Sequence, residues 1–204
     1  DGVVVLFHDD NLQRVLGDPR TLLQVDASEL RALMESRGGL ITLEEALVRF
    51  PNTRFNIDVK ADTAVQAVGP IVASHAERVL LTAFSDARRR TAMAAIMRAG
   101  ANQRPAASPG TFTVVKLVIA VWLRARWLAA RTLRGIDAVQ IPERQGRLRV
   151  LSPRLIAMAH ELGIEVHVWT VNESDDMRRL LDAGVDGIVT DRADVALQVV
   201  AERK

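Results

Sequence analysis

The stretch Phe55–Lys60, with the sequence FNIDVK, decides the fold because it alternates apolar and polar residues as a half-buried β-strand does. Successive strand side chains point to opposite faces, so Asp58 and Lys60 share one face while Ile57 and Val59 share the other. A helical pattern follows at about Thr63–Ala76. A strand followed at once by a helix is the repeating unit of a parallel α/β sheet.

The same alternation continues to the end of the chain. Further strands are predicted at Val79–Phe84, within Ala101–Gly110, and at Ala138–Ile141, Ile164–Val171 and Gly187–Thr190. Helices are predicted from Ser85 to Gly100 and at Thr113–Leu133, Ser152–Gly163, Glu173–Ala183 and Arg192–Ala201. Neither GxGxxG nor GxxxxGK[ST] occurs, which disfavours an open nucleotide-binding sheet. The pattern therefore favours a (β/α)₈ TIM barrel with about six of its eight strand–helix units accounted for.

The residues before this repeat also carry local signals. Asp1-Gly2 predicts a turn, and the apolar run Val3–Phe7 predicts a strand. A short helix is expected at Ala27–Leu33, with Ser28 near its start. Thr42 and Glu45, three residues apart, form the pattern of a capping box at the start of the next helix.

Composition excludes several kinds of protein. The 204 residues carry a net charge of only +2 and contain no cysteine, so disulfide scaffolds, thiolate nucleophiles and cysteine-bound metals are excluded. Aromatic residues make up 4% of the chain, and this scarcity argues against a nucleic-acid partner. The sequence does not fix the oligomeric state. No signal peptide is visible, which slightly favours the cytoplasm.

The longest apolar run is Val114–Leu123, which contains Lys116 and is followed by Arg124 and Arg126. A membrane-spanning helix needs about 20 apolar residues, so this run is too short. The simpler interpretation is a buried helix on the outside of the fold. The alternative is a peripheral membrane contact, with Trp122 and Trp127 at the lipid surface.

Polar residues at the carboxyl ends of the strands are the candidates for chemistry, because barrel active sites lie at that end. An Asp58 carboxylate beside the Lys60 ammonium fits a hard-cation ligand next to a phosphate anchor, or else a structural ion pair. His8 precedes two acids, which fits a general acid/base or an exposed turn residue. Other strand-end candidates are Phe84-Ser85, Trp169, Thr170, Asn172 and Thr190-Asp191, with His167 as a minor one.

An ordered set of motifs then resembles one family. Asp1–Arg14 resembles the "DG-x-x-V-x-x-HD-x-x-L-x-R" segment of glycerophosphodiester phosphodiesterases, and Asn56–Lys60 resembles their "N-I-E-I-K" strand. Similar matches in the same order are Thr42–Leu47 with "TLEE", Leu81–Ser85 with "S-S-F", Val168–Asn172 with "WTVN" and Gly184–Asp191 with "GVDGIITD".

The resemblance implies a TIM-barrel hydrolase of lipid and glycerol metabolism. It would cleave glycerophosphodiesters to sn-glycerol 3-phosphate and an alcohol with the help of Mg²⁺ or Ca²⁺. His8 matches the histidine that protonates the leaving alcohol, Asp58 a metal-ligand glutamate and Lys60 a phosphate-contacting lysine. Trp169 matches an aromatic residue that lines the substrate pocket.

Two departures from the family pattern modify this expectation. Asp58 is one methylene shorter than the usual glutamate. The family's opening "HRG" and "E-x-D" segments, which carry the first catalytic histidine and further metal carboxylates, have no counterpart here. We therefore expect residues 1–204 to be an N-terminally truncated domain that lacks the first two barrel strands, is inactive alone, binds metal poorly and aggregates through its open edges. The alternatives are a lysophospholipase D acting on lysolipids, and a catalytically incomplete barrel that serves as a binding or scaffold module.

Overall fold

The computed structural model describes residues 1–203, which divide into two compact units. The first unit comprises Asp1–Phe55, Val59–Val79 and Thr91–Arg104. The second comprises Asn56–Asp58, Leu80–Arg90 and the residues from Pro105 onward.

The described residues 1–203 form ten α-helices and eight strands. The helices are α1 Gln13–Leu16, α2 Ala27–Met34, α3 Leu43–Arg49, α4 Ala64–Ala73, α5 Asp86–Arg98, α6 Thr111–Trp122, α7 Arg126–Thr132, α8 Pro153–Glu161, α9 Ser174–Asp182 and α10 Ala193–Ala201. The strands are β1 Phe55–Asp58, β2 Val79–Thr82, β3 Ala106–Ala107, β4 Ala138–Pro142, β5 Arg144–Gln145, β6 Leu148–Arg149, β7 Glu165–Trp169 and β8 Gly187–Ile188.

Six of the strands form a ribbon in the second unit. One sheet has the order β1-β2-β3 and another has the order β4-β7-β8. The pairs β2–β3, β4–β7 and β7–β8 are parallel. The backbone N–H of Asp137 donates to the carbonyl oxygen of Ala107 at 2.9 Å and joins the two sheets. In the described part of the chain β1 and β8 do not pair with each other, so the barrel is not closed.

Burial along the strands distinguishes the two faces of this ribbon. Ile57 in β1, Leu81 in β2 and Val168 in β7 are buried, whereas their neighbours along each strand are only half-buried or exposed. Apolar side chains thus pack on the face that the helices cover, and the polar residues lie on the other face. This alternation confirms the predicted α/β fold of parallel strands and crossover helices.

The first unit has a small core of its own. Leu12, Leu30 and Leu40 are buried there, and Val5 and Phe7 pack against them. Thr42 caps α3 by accepting a hydrogen bond from the Glu45 N–H at 3.1 Å, while Glu45 Oε2 accepts from the Thr42 N–H at 2.8 Å. The predicted capping box is therefore confirmed.

The short helix expected at Ala27–Leu33 is confirmed as α2, with Ser28 as its second residue and Asp26 as its cap. Two other predictions about local structure were wrong. Val3–Phe7 is not a sheet strand: it forms one antiparallel bridge, between Val5 and Thr42. The single helix predicted at Thr113–Leu133 is two helices, because Arg124 adopts a left-handed φ of 54° between α6 and α7.

Candidate active site

Trp169 ends strand β7 and contacts Phe84, which follows β2. Their rings meet edge to face, with centroids 6.3 Å apart and an interplanar angle of 79°. Along the ribbon β3 and β4 separate these strands, which in a flat sheet would place them about 14 Å apart. The ring contact therefore indicates that the ribbon curves and brings the carboxyl ends of its strands together, as a barrel requires.

The position of Phe84 is fixed by the turn that follows it. The Asp86 carboxylate accepts hydrogen bonds from the backbone N–H groups of Gly110 (3.0 Å) and Thr113 (3.1 Å). Burial acts to raise the pKa of Asp86, but these hydrogen bonds outweigh it and the pKa is lowered. A Cβ on Gly110 would lie 2.6 Å from the Phe84 carbonyl oxygen, so only glycine fits. The start of α6 is thereby held against the strand end that carries Phe84.

A cleft of about 570 Å³ opens beside Trp169. The hairpin β5–β6 forms one wall, with Glu143 and Arg144 among the lining residues, and the segment after β7 forms another. Arg179 donates to both carboxylate oxygens of Glu143, at 2.8 and 3.1 Å, and lowers the pKa of Glu143. Glu143 is therefore charged at neutral pH, and its charge is balanced.

The loops after β7 and β8 are tied together by side chains. Asn172 Oδ1 accepts hydrogen bonds from the Thr190 hydroxyl and from the Asp191 N–H, both at 3.0 Å. Its Nδ2 donates to Asp191 Oδ2 at 3.2 Å. These strand-end residues, selected in the sequence as candidates for chemistry, here fix two loops relative to each other.

His167 lies two residues before Trp169 in β7, on the same face of the ribbon. His167 is in register with Gln140 on one side and with Gly187 on the other. Its Nδ1 lies 3.4 Å from Gln140 Nε2, and its Nε2 lies 3.0 Å from Glu165. A Cβ on Gly187 would lie 2.6 Å from the His167 ring, so the ring occupies the space that the glycine leaves. His167 thus fills the interior face, as its alternation with Trp169 predicted.

Asp58 is the last residue of β1, and Lys60 lies two residues beyond the strand. Both are half-buried, while Ile57 and Val59 are fully buried, which agrees with the predicted alternation of faces. One oxygen of Asp58, Oδ1, is inaccessible to solvent.

The described residues do not assemble a complete metal site. Within residues 1–203 no group of three or more His, Cys, Asp or Glu side chains is placed to hold a metal ion. Ca²⁺ takes six to eight oxygen ligands, of which Asp58 supplies two at most. Asp58 alone therefore does not fit a tightly bound divalent cation.

His8 lies on an exposed turn of the first unit. Its Nδ1 lies 2.6 Å from Asp9 Oδ1, and Asp9 Oδ2 accepts a hydrogen bond of the same length from Arg14 Nε. Arg14 first, and then His8, lower the pKa of Asp9. Asp9 is charged at neutral pH and can orient the imidazole through Nδ1, which leaves Nε2 directed away from the contact.

The structure places the four predicted site residues in different surroundings. His8 and Lys60 belong to the first unit, and Asp58 and Trp169 to the second. The sequence interpretation missed the β5–β6 hairpin and the pairing of Glu143 with Arg179. The sequence did carry a signal for the hairpin, because Gly146 stands between polar residues. In the structure this glycine adopts a left-handed φ of 59°.

The ribbon is curved, and an aromatic cleft and polar groups lie at the carboxyl ends of its strands. This arrangement is typical of barrel enzymes. Among known proteins, one family matches almost the whole chain. Residues 1–195 match the model of the "Glycerophosphoryl diester phosphodiesterase family". The chain belongs to this family of phosphoric diester hydrolases.

Individual relatives agree with this assignment. The chain is 37% identical over its full length to a Mycobacterium tuberculosis protein named "Probable glycerophosphodiester phosphodiesterase 2", of which it covers 76%. A crystal structure of a glycerophosphodiester phosphodiesterase from Parabacteroides distasonis superposes with a TM-score of 0.68 at 22% identity, covering 99% of this chain and 80% of that one. An Oleispira antarctica phosphodiesterase in complex with the product sn-glycerol-3-phosphate has a TM-score of 0.68 at 15% identity, with 98% and 80% covered. These two structures show the same fold.

Proposed function

We propose that the domain to which this chain belongs hydrolyses glycerophosphodiesters to sn-glycerol 3-phosphate and an alcohol. The family match over residues 1–195 is the observation that carries the proposal. The relative that was solved with sn-glycerol-3-phosphate, which has the same fold, supports the choice of product.

In this proposal His8 supplies the proton that the leaving alkoxide needs. An alkoxide is a poor leaving group, and a positioned histidine accelerates its departure by about a hundredfold to ten-thousandfold. The contact with the charged Asp9 supports this role, because it orients the imidazole and leaves Nε2 for the substrate. The exposure of the ring agrees with a group that must meet a substrate from solution.

Lys60 and Trp169 would act in binding. A lysine ammonium stabilises the negative charge that gathers on the phosphoryl oxygens in the transition state. Trp169, supported edge to face by Phe84, presents an apolar wall on the cleft against which a glycerol or headgroup chain can pack. Loss of the Lys60 charge should lower kcat, whereas loss of the Trp169 ring should mainly raise KM.

A dependence on Mg²⁺ or Ca²⁺ is proposed from the resemblance alone, with Asp58 as one ligand. Since residues 1–203 hold no complete cluster of metal ligands, we further propose that the 204-residue chain does not turn over substrate by itself. Metal would bind to it weakly, and the binding would be lost in the Asp58→Ala variant.

The experiment compares the purified 204-residue chain with the full open reading frame of its gene. Release of sn-glycerol 3-phosphate from glycerophosphocholine is measured with Mg²⁺, with Ca²⁺ and with a chelator. We expect activity from the full reading frame only, lost with the chelator and lowered at least about a hundredfold by His8→Ala. Turnover by the 204-residue chain would contradict its proposed inactivity but not the proposed reaction.

The same assay separates the two alternatives. Faster release of choline from lysophosphatidylcholine than from glycerophosphocholine would indicate a lysophospholipase D. A full reading frame that binds glycerophosphodiesters without cleaving them would indicate a binding or scaffold module. Gln103→Ala is a matched control for His8→Ala, because it truncates one exposed polar side chain outside the cleft.

A further inference from the structure

An exposed apolar surface covers helices α6 and α7. We call it the α6–α7 face, and its residues are Phe112, Val115, Ile119, Trp122, Leu123 and Trp127. Trp122 and Trp127 are 78% and 71% exposed, although they are among the largest apolar side chains of the chain. Large apolar residues gathered on one surface indicate a binding site more often than chance.

Helix geometry separates this face from the core. Phe112, Val115, Ile119 and Trp122 fall within an arc of about 80°, since each residue advances the helix by about 100°. Leu117, Ala120 and Val121 are buried on the opposite side. Helix α6 therefore has two apolar sides, and the fold buries only one of them. The interpretation of this run as a buried helix holds for only half of it.

The turn at Arg124 extends the face into α7. Its left-handed φ of 54° ends α6, and the Ala125 N–H then donates to the Ala120 carbonyl at 2.8 Å. Trp127 follows in the first turn of α7, and it is exposed as Trp122 is. Ala129 and Leu133 anchor α7 to the core.

The charged residues of the segment that carries the face are all positive. From Pro105 to Ile136 the sequence contains five cationic residues, namely Lys116, Arg124, Arg126, Arg131 and Arg134, and no aspartate or glutamate. All five are exposed. Arg126 lies 3.5 Å from Glu161, and Lys116 lies over the Phe112 ring at 4.3 Å. Arg124, Arg131 and Arg134 have no ion-pair partner among the described residues. A chain with a net charge of only +2 thus concentrates cations at its most exposed apolar surface.

We propose that the α6–α7 face docks on an anionic phospholipid bilayer. Tryptophan is favoured at the membrane–water interface, and arginine and lysine beside it attract acidic headgroups. A helix with these residues lies in the plane of the interface. This geometry needs no spanning segment, and no helix in residues 1–203 is long and apolar enough to cross a bilayer. A second copy of the chain is a poorer occupant, because a twofold interface would bring the same cations face to face.

The test measures binding to vesicles directly. The 204-residue chain is sedimented with vesicles of phosphatidylcholine alone or of equimolar phosphatidylcholine and phosphatidylglycerol, at low and high salt. We expect binding to the anionic vesicles, weakened by salt. Trp122→Ser with Trp127→Ser should lower the partition coefficient about tenfold or more. Arg131→Gln with Arg134→Gln should lower it about fivefold for each cation.

Two matched control variants carry the same kinds of substitution at exposed positions outside the α6–α7 face. Leu197→Ser with Val200→Ser removes exposed apolar groups from α10, and Arg37→Gln with Arg154→Gln removes two exposed cations. Neither pair should change binding. All these positions are exposed, and equal thermal unfolding by circular dichroism verifies that each variant is folded.

Fluorescence provides an independent measurement. The chain has three tryptophans, so Trp169→Phe leaves only the two of the α6–α7 face. Brominated phosphatidylcholine in the equimolar vesicles should quench their emission. Binding that is absent, or that the tryptophan and arginine variants leave unchanged, would overturn the proposal. So would light scattering that shows a dimer which these variants dissociate, since a second copy would then cover the face.

Discussion

Two histidine–carboxylate pairs in this molecule have similar contact distances but differ in the groups that hold the carboxylate. His160 Nε2 lies 2.8 Å from Asp186, and His8 Nδ1 lies 2.6 Å from Asp9. Asp186 also accepts the Val166 backbone N–H, at 2.8 Å, and so belongs to the framework of the sheet. Asp9 is held by Arg14, an exposed residue of α1.

The comparison shows that the distance between a histidine and an acid does not reveal its role. A carboxylate that satisfies a strand N–H stabilises the fold, and its histidine partner is part of that arrangement. A carboxylate held only by side chains on an exposed turn leaves its histidine accessible, as a proton donor must be.

Gly187→Ala should be the most damaging change near the Asp186 pair. The new Cβ would lie 2.6 Å from the His167 ring, which packs between β4 and β8. We expect the free energy of unfolding to fall by about 2–3 kcal/mol, as measured by urea denaturation. His167→Ala in the same chain removes the clash and should recover most of the loss, and this coupling is read from the double-mutant cycle. Equal losses with and without the His167 ring would contradict this interpretation.

Asp186→Ala and Asp9→Ala compare the two pairs directly. Removing the Asp186 carboxylate leaves the Val166 N–H without its acceptor and should cost about 2 kcal/mol of unfolding free energy. Asp9→Ala should leave the urea midpoint unchanged, because its partners remain exposed to water. A comparable loss in both variants would abolish the distinction.

The Asp186 pair also predicts a pH dependence. Burial tends to raise the pKa of Asp186, but hydrogen bonds from Val166 and His160 outweigh it, so the folded-state pKa is lowered. Its contribution is therefore present at neutral pH and is lost as the pH falls below about 4. The wild-type urea midpoint should fall more steeply than that of Asp186→Asn in this range.

The repeat of strands and helices could be predicted from the sequence because periodicity and capping are local. Thr42, Ser152 and the alternation around Asp58 needed no tertiary information. The strand predicted at Val3–Phe7 was wrong because an apolar run does not reveal its partner, and Val5 pairs only with Thr42. The break at Arg124 was missed because a left-handed arginine leaves no composition signal.

The candidate site was predictable only where residues follow the strand ends. The motifs identified Trp169, but its contact with Phe84 depends on the curvature of the ribbon, which no local pattern encodes. The roles of His8, Asp58 and Lys60 stay predictions, because they come from the resemblance and not from a distance between these residues.

Thr42→Ala tests how the segment that precedes His8 is anchored. The Thr42 side chain caps α3, and its backbone lies in the bridge with Val5. Loss of the cap should lower the free energy of unfolding by about 1 kcal/mol, as measured by urea denaturation. Thr42→Ser keeps the hydroxyl and should retain most of the stability. A loss in Thr42→Ser as large as that in Thr42→Ala would show that the methyl group, which both variants lack, matters and the cap does not.

Arg14→Gln should have the smallest effect on stability and the most specific effect on the His8 turn. Arg14 is the main cause of the lowered Asp9 pKa, so its removal should raise that pKa toward the ordinary aspartate value. A carboxyl carbon NMR titration of both proteins measures the change, and Arg37→Gln is the control for lost charge. The urea midpoint at neutral pH should stay the same, because Arg14 is exposed and water screens its charge. If the Asp9 pKa does not move, His8 and not Arg14 is the main cause of its lowering.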